Sequence, residues 1–222
     1  MQLCEQYRPR EWGDVIGQDK AARIVAALRP RGLAGRAYLI DGPTGTGKST
    51  IGRLIAAEVA HPDFCQELDA GDLDAATLRE WEYGSHYGAP EPGGRAYIVN
   101  ECHGLKPTVV RQLLVTLERI PAHVAWVFTT TARPKREDQQ LRLFVAQAED
   151  AHPFTSRCVG LSTTSQGLAQ AAPPRLLAIA REAGLVNGQP EAAMLKLLAR
   201  LVHECHGNLR EALIEIEKGA LL

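Results

Sequence analysis

AYLIDGPTGTGKSTIGRLIAAEV, from Ala37 to Val59, is the stretch whose reading decides the fold. A short apolar run, Ala37–Asp41, ends in a glycine-rich turn. Beyond the turn, Ile51, Leu54, Ile55 and Val59 recur at the spacing of one helix face. The pattern is strand, tight turn, helix. Residues 42–49, GPTGTGKS, satisfy G-x-x-x-x-G-K-[ST]. Glycines let the backbone turn tightly, so its N–H groups aim inward at phosphate oxygens, and the helix adds its positive N-terminal end. Gly42, Pro43, Thr44, Gly45, Thr46, Gly47, Lys48, Ser49 and Thr50 are thus the predicted nucleotide cradle. Lys48 brings a cation to the β- and γ-phosphates. The Ser49 hydroxyl is a hard oxygen ligand for Mg²⁺.

The same alternation extends outward. Residues 18–29 carry Ala22, Val25, Ala26 and Leu28 at helical spacing, which predicts a helix upstream of the loop. Downstream, strands are expected at 65–69, 96–99 and 124–130, with helices at 74–82 and from Pro107 to about Arg119. Pro90, Pro92, Gly93 and Gly94 read as a loop, and Pro121 ends the second of those helices. Strands alternating with helices imply a parallel sheet covered on both faces. After Pro173 and Pro174 the character changes. Helical patterns follow at about 175–184, 191–204 and 208–217, and no strand signal returns. The expected architecture is an α/β domain over residues 1–162 and a small all-helical domain over 163–222.

Composition excludes several classes. The chain has 222 residues and a formal net charge of -1, so any nucleic-acid contact must come from a local patch. No apolar run is long enough to span a bilayer, and the N-terminus lacks the apolar core of a secretory signal. The five cysteines are scattered and form no CxxC pair, which argues against zinc and for reduced thiols in the cytoplasm.

A P-loop enzyme also needs a strand ending in an acidic pair near the metal. Tyr97-Ile98-Val99-Asn100-Glu101 is the candidate. Glu101 is placed to orient and activate an attacking water. The residue before it would hold the metal through its water shell. Asn100 keeps an oxygen acceptor there but lacks the negative charge. The expectation is nucleotide binding with a weakened hold on Mg²⁺ and attenuated hydrolysis.

With these motifs on the page, the chain resembles the sliding-clamp-loader branch of AAA+ ATPases along nearly its whole length. YRPREWGDVIGQ (Tyr7–Gln18) is similar to the family's opening segment, which wraps adenine. The resemblance implies ATP as the nucleotide and Arg8, Val15 and Ile16 as base-side contacts. Glu67–Glu80 is similar to the family's second strand and following helix, and Asn100–Val124 to its acidic block. Ser156-Arg157-Cys158 matches the family's SRC triplet, whose arginine reaches a neighbouring subunit's γ-phosphate. Gly207–Leu213 resembles the lid's sensor-2 element, with Arg210 toward the γ-phosphate. Thr131 aligns with the polar sensor-1 residue. The combined order of these motifs favours clamp loaders over Holliday-junction helicases, which share the opening and the P-loop.

Departures accompany the likeness. The four-cysteine zinc module of bacterial catalytic loader subunits is missing. Residues 132–155 form a longer segment than usual, and 135–150 is expected as an extra amphipathic helix with Leu141, Phe144 and Val145 on one side. Leu222 falls where a helical collar domain would begin, so either the chain is truncated or the assembly is held differently. The partners implied are other loader subunits in a pentamer-like oligomer, the sliding clamp and primed DNA. The DNA would be gripped without base readout at Lys106 and Arg111, beside a helix N-terminus; an ordinary solvated helix face is the alternative. The expected function is an ATP-hydrolysing clamp-loader subunit in DNA replication. The alternatives are an ATP-binding structural subunit that hydrolyses weakly or not at all, and another DNA-processing AAA+ protein of the helicase kind.

Overall fold

The computed structural model describes residues 2–89, 93–131, 153–186 and 190–221. Five strands make one sheet: β1 (Arg36–Asp41), β2 (Cys65–Asp69), β3 (Arg95–Asn100), β4 (Val124–Thr130) and β5 (Cys158–Ser162). Their order is β2-β3-β4-β1-β5 and every pairing is parallel. β1 therefore lies between β4 and β5, with Asp41 opposite Thr130 on one side and Ser162 on the other. Ligands of open α/β sheets bind outside the carboxyl ends of the strands, where the order reverses. The loop after β1 emerges at that crevice.

Successive side chains of a strand face opposite ways, and the sheet is buried on both sides. Leu39, Tyr97, Val99, Trp126 and Phe128 pack on one face, with Trp81 of α4 (Ala75–Ser85) and Val110 and Leu113 of α5 (Pro107–Glu118). Tyr38, Ile40, Ile98 and Val127 pack on the other. They meet Val25 of α2 (Asp19–Leu28) and Ile51 and Ile55 of α3 (Lys48–Val59). All of β4 is buried, as its unbroken apolar and threonine run requires. Asp74 caps α4, its Oδ1 accepting from the Ala76 and Thr77 amides at 3.0 and 2.8 Å. These backbone bonds hold the Asp74 carboxyl below its ordinary pKa. α5 starts at Pro107, whose missing donor costs nothing there.

The predicted strands and helices of the first 130 residues are present, and α4 continues to Ser85. β5 was not foreseen. CVGLS is an edge strand with only Leu161 buried and Gly160 at its centre, so it carries neither a continuous apolar run nor clean alternation. The expected helix over 135–150 lies outside the described residues, as do Pro90 and Pro92.

The C-terminal helices form a cluster of their own. α6 (Leu168–Ala171), α7 (Pro173–Glu182), α8 (Glu191–Glu204) and α9 (Leu209–Glu217) bury Leu176, Leu177, Met194, Leu198, Val202 and Ile216 together. Leu3 of α1 (Leu3–Gln6) is buried in this same cluster, and Tyr7 and Ile16 pack against it. The chain's first residues thus rest on its last helices. Among the described residues no helix is long and apolar enough to cross a membrane.

Ile98 is fully buried in β3 beneath α3. Ile98→Ala should cost about 3 kcal/mol in equilibrium denaturation, with the far-ultraviolet spectrum of the folded protein unchanged.

Candidate functional site

The loop from Gly42 to Gly47 leaves β1 and enters α3. Its first amide, that of Gly42, donates to the Thr130 carbonyl at 3.2 Å. A Cβ on Gly42 would come within 2.1 Å of Thr163 Oγ1, so only glycine lets β5's extension close over the loop. Thr163 in turn donates its amide to the Asp41 carbonyl at 2.7 Å, and its hydroxyl meets Thr46 Oγ1 at 2.7 Å. Lys48 is buried, and its ammonium donates to the carbonyls of Gly42 and Pro43 at 3.0 and 2.9 Å. Burial lowers the Lys48 pKa; the Glu101 carboxylate opposes that shift, while Arg210 adds to it. Lys48, Glu101 and Arg210 therefore share one field.

The acidic corner lies at the ends of β3 and β4. Asn100 Oδ1 accepts from Ser49 Oγ and from Thr129 Oγ1, each at 3.0 Å. Its Nδ2 donates to Glu67 Oε1 at 2.7 Å. Glu101 adopts a left-handed backbone at φ 48, with its amide donating to Thr129 Oγ1 at 3.3 Å. Such a conformation is costly for a non-glycine residue and turns the side chain away from the strand. The Glu101 carboxylate faces His103 Nδ1 at 3.2 Å and accepts from Thr131 Oγ1 at 3.4 Å. The set suits a hard cation: the Ser49 hydroxyl and Asn100 Oδ1 stand side by side as oxygen donors, 3.0 Å apart.

A pocket of about 770 Å³, counting its open mouth, joins the loop to the helical cluster. Arg8, Val15 and Ile16 line it together with Gly45, Thr46, Gly47 and Thr50. Leu176 and Ile179 of α7, and Leu209, Arg210 and Leu213 of α9, complete the wall. The pocket has an apolar side and a loop side, which suits a base with a phosphate tail. α9 begins against the loop itself. The Leu209 amide donates to the Gly45 carbonyl at 3.1 Å, and a Cβ on Gly45, at φ 74, would come within 1.7 Å of Asn208 Oδ1. Asn208 Oδ1 caps the helix by accepting from the Glu211 amide at 3.2 Å. Arg175 of α7 pairs with Asp14 at 3.3 Å on the same wall.

The structure thus brings Arg8, Val15, Ile16, Gly45, Thr46, Gly47, Thr50 and Arg210 to one cavity, while Gly42, Pro43, Thr44, Lys48 and Ser49 are not among its lining residues. Ser49, Asn100, Glu101 and Thr131 form one connected set beside Lys48. Arg157 is not among the pocket residues. Its guanidinium pairs with Glu118 of α5 and donates to the Pro153 carbonyl at 2.7 Å. Lys106 and Arg111 are exposed at the start of α5, also away from the pocket lining. Sequence reasoning missed Glu67, Thr163, Asn208 and the α7 wall residues. Only Asn208, three residues before Glu211, carried a local cap signal. Thr129, inside the strand predicted over 124–130, also belongs to the corner, donating to Asn100 Oδ1 and accepting from the Glu101 amide.

The sheet order and the glycine loop with its lysine define a parallel α/β domain of the phosphate-loop kind. No family model matches the chain. It is 30 % identical over 152 residues to the DNA polymerase III subunit tau of Salmonella typhimurium, a match covering 58 % of this chain and 24 % of that protein. It is 28 % identical over 151 residues to the subunit gamma/tau of Mycoplasma pneumoniae, covering 58 % and 22 %. The chain thus matches about a quarter of the length of these relatives. Among solved structures, the RuvB Holliday junction branch migration motor of Thermotoga maritima superposes with a TM-score of 0.65 at 20 % identity. That match covers 95 % of this chain and 64 % of the other. At that identity the superposition shows the fold alone, and the sequence likeness to the gamma/tau subunits supports a clamp-loader-like AAA+ ATPase.

Asn208→Ala removes the cap of α9 where that helix touches the loop. The expected result is a loss of about 1 kcal/mol, read as a lower midpoint of thermal unfolding.

Proposed function

We propose that this chain binds ATP with Mg²⁺ and hydrolyses it as one subunit of a DNA sliding-clamp loader in replication. The observation that carries this reading is a division of labour. One pocket gathers Gly45–Gly47, the Val15–Ile16 wall and Arg210, with Lys48 following directly in the chain, while Arg157 is paired with Glu118. A site completed by a neighbour's arginine explains why this chain holds one set of parts and lends another.

In this reading Arg8, Val15 and Ile16 flank the base, and residues 42–50 hold the phosphates. Lys48 exchanges its contacts with the Gly42 and Pro43 carbonyls for the β- and γ-phosphate oxygens. Ser49 and Asn100 would hold Mg²⁺, whose charge offsets that of the phosphates. Glu101, steadied by Thr131 and His103, accepts the proton of an attacking water. Arg210 contacts the γ-phosphate from α9. Because α9 starts on the Gly45 carbonyl, the lid angle follows the state of the loop. Residues 1–162 act as the nucleotide domain and 163–222 as the lid. The partners are other loader subunits, the sliding clamp and primed DNA, with Lys106 and Arg111 as sequence-independent phosphate contacts. Five free cysteines suit a reducing cytoplasm.

A second reading, a subunit that binds ATP but hydrolyses it weakly, is favoured by one observation. Asn100 stands in the metal-facing position as a neutral amide engaged by Ser49.

Lys48→Ala should weaken ATP binding about 10- to 100-fold, the loss of charge-assisted bonds to phosphate, measured by calorimetry. Loss of no affinity would sink the nucleotide reading. Arg157→Ala should leave the chain's own ATP affinity unchanged and lower turnover of the assembled oligomer about 1000-fold. Unchanged turnover in the assembly would overturn the role of Arg157 in a neighbour's site.

A further inference from the structure

Asn100 poses a problem that a carboxylate would not. A carboxylate presents oxygen whichever way it turns; an amide has one oxygen end and one NH₂ end. If the Asn100 amide rotates half a turn, it presents two N–H donors where Mg²⁺ needs an acceptor. Something must fix which end faces Ser49.

Two of the three side chains that touch the amide cannot do so. Ser49 and Thr129 meet Oδ1 through hydroxyls, which accept as readily as they donate, so both would also accommodate a flipped NH₂. Glu67 is different. It receives Nδ2 at 2.7 Å, and an ionised carboxylate is acceptor-only, so it accepts only the NH₂ end. Glu67 is itself held. Arg53 of α3 grips both its oxygens, Nε to Oε2 at 2.7 Å and Nη2 to Oε1 at 3.2 Å. That fork leaves Oε1 shared between the guanidinium and Asn100 and leaves Glu67 little freedom to turn away.

We infer that Glu67 is a positioning residue for the metal site: braced by Arg53, it locks the Asn100 amide with its oxygen toward Ser49. Its negative charge also stands one hydrogen bond behind that oxygen and polarises it toward a cation. The carboxylate missing from the end of β3 is thus supplied from β2, at second hand. The inference rests on the ATP and Mg²⁺ reading above. It goes further by assigning the metal dependence to a residue outside the nucleotide motifs.

The test is binding of a fluorescent ATP analogue to the full chain, titrated with Mg²⁺ and repeated in EDTA. Glu67→Ala should raise the Mg²⁺ concentration for half-maximal effect about tenfold, the usual cost of losing an outer-shell partner. Affinity in EDTA should stay at the wild-type value. Glu67→Ala with Asn100→Asp should show the same Mg²⁺ dependence as Asn100→Asp alone, because aspartate has no wrong end. If Glu67 merely braces Arg53, the double variant is as impaired against Asn100→Asp as Glu67→Ala is against wild type, and the proposal fails. It fails equally if Glu67→Ala leaves the Mg²⁺ dependence unchanged. Should Glu67→Ala not fold, Glu67→Gln keeps the shape and loses the acceptor-only character. It should then show a several-fold shift that is absent when Asn100→Asp is the background, and no shift overturns the proposal. Wild-type protein that binds no analogue with or without Mg²⁺ overturns the nucleotide reading and this inference with it. Normal wild-type binding with an unaffected Glu67→Ala overturns this inference alone.

Discussion

Parallel pairing of β1 between β4 and β5 is the constraint on which the rest depends. It makes three strands end at one edge of the sheet. The loop leaving β1 is then bounded by Thr130 on one side and Thr163 on the other, both bonded to the backbone around Asp41 and Gly42. A parallel sheet buried on both faces has little freedom to slip, because a shift of one residue would move Ile40 and Ile98 into the opposite layer. The position of the lysine and the acidic corner is thereby set by packing far larger than the site itself.

Around that edge the polar groups answer one another. Lys48 is buried and donates to loop carbonyls, with Glu101 nearby as counter-charge. Glu101 sits in a left-handed turn, and Thr129, Thr131 and His103 contact it. Such strain persists only where neighbours over-determine the geometry, and here hydroxyls from β4 and a histidine ring do so. Asn100 belongs to the same arrangement: its neighbours, rather than its own charge, decide what it offers.

The helical cluster is attached at both ends of the chain. Leu3 is buried among α7, α8 and α9, and the α9 amide of Leu209 reaches the Gly45 carbonyl. Arg175 and Asp14 pair across the same wall. A helix whose first turn is satisfied by the phosphate loop cannot tilt without breaking that bond. The segment from Arg8 to Ile16, the glycine loop and the C-terminal helices therefore form one mechanical unit around the pocket.

Much of this was legible in the order of residues. The run from Ala37 to Val59 declares a strand, a phosphate-type loop and a helix, because glycine placement and apolar spacing are local properties. The same holds for the central strands and for α5, which opens on Pro107. Other features are not local. β5 is a half-exposed edge strand whose identity comes from pairing with β1. Glu67 and Asn100 are far apart in the chain and meet only because β2 and β3 pair in register, with Asp69 opposite Asn100. Thr163 and Asn208 approach the glycines of the loop only once sheet and helices have packed. Backbone preference and apolar period determined the elements and the loop chemistry of this protein. Which end of the Asn100 amide faces Ser49, which amide closes on the loop and where Arg157 points were decided by tertiary packing, because hydrogen bonds between distant segments exist only after the chain has folded.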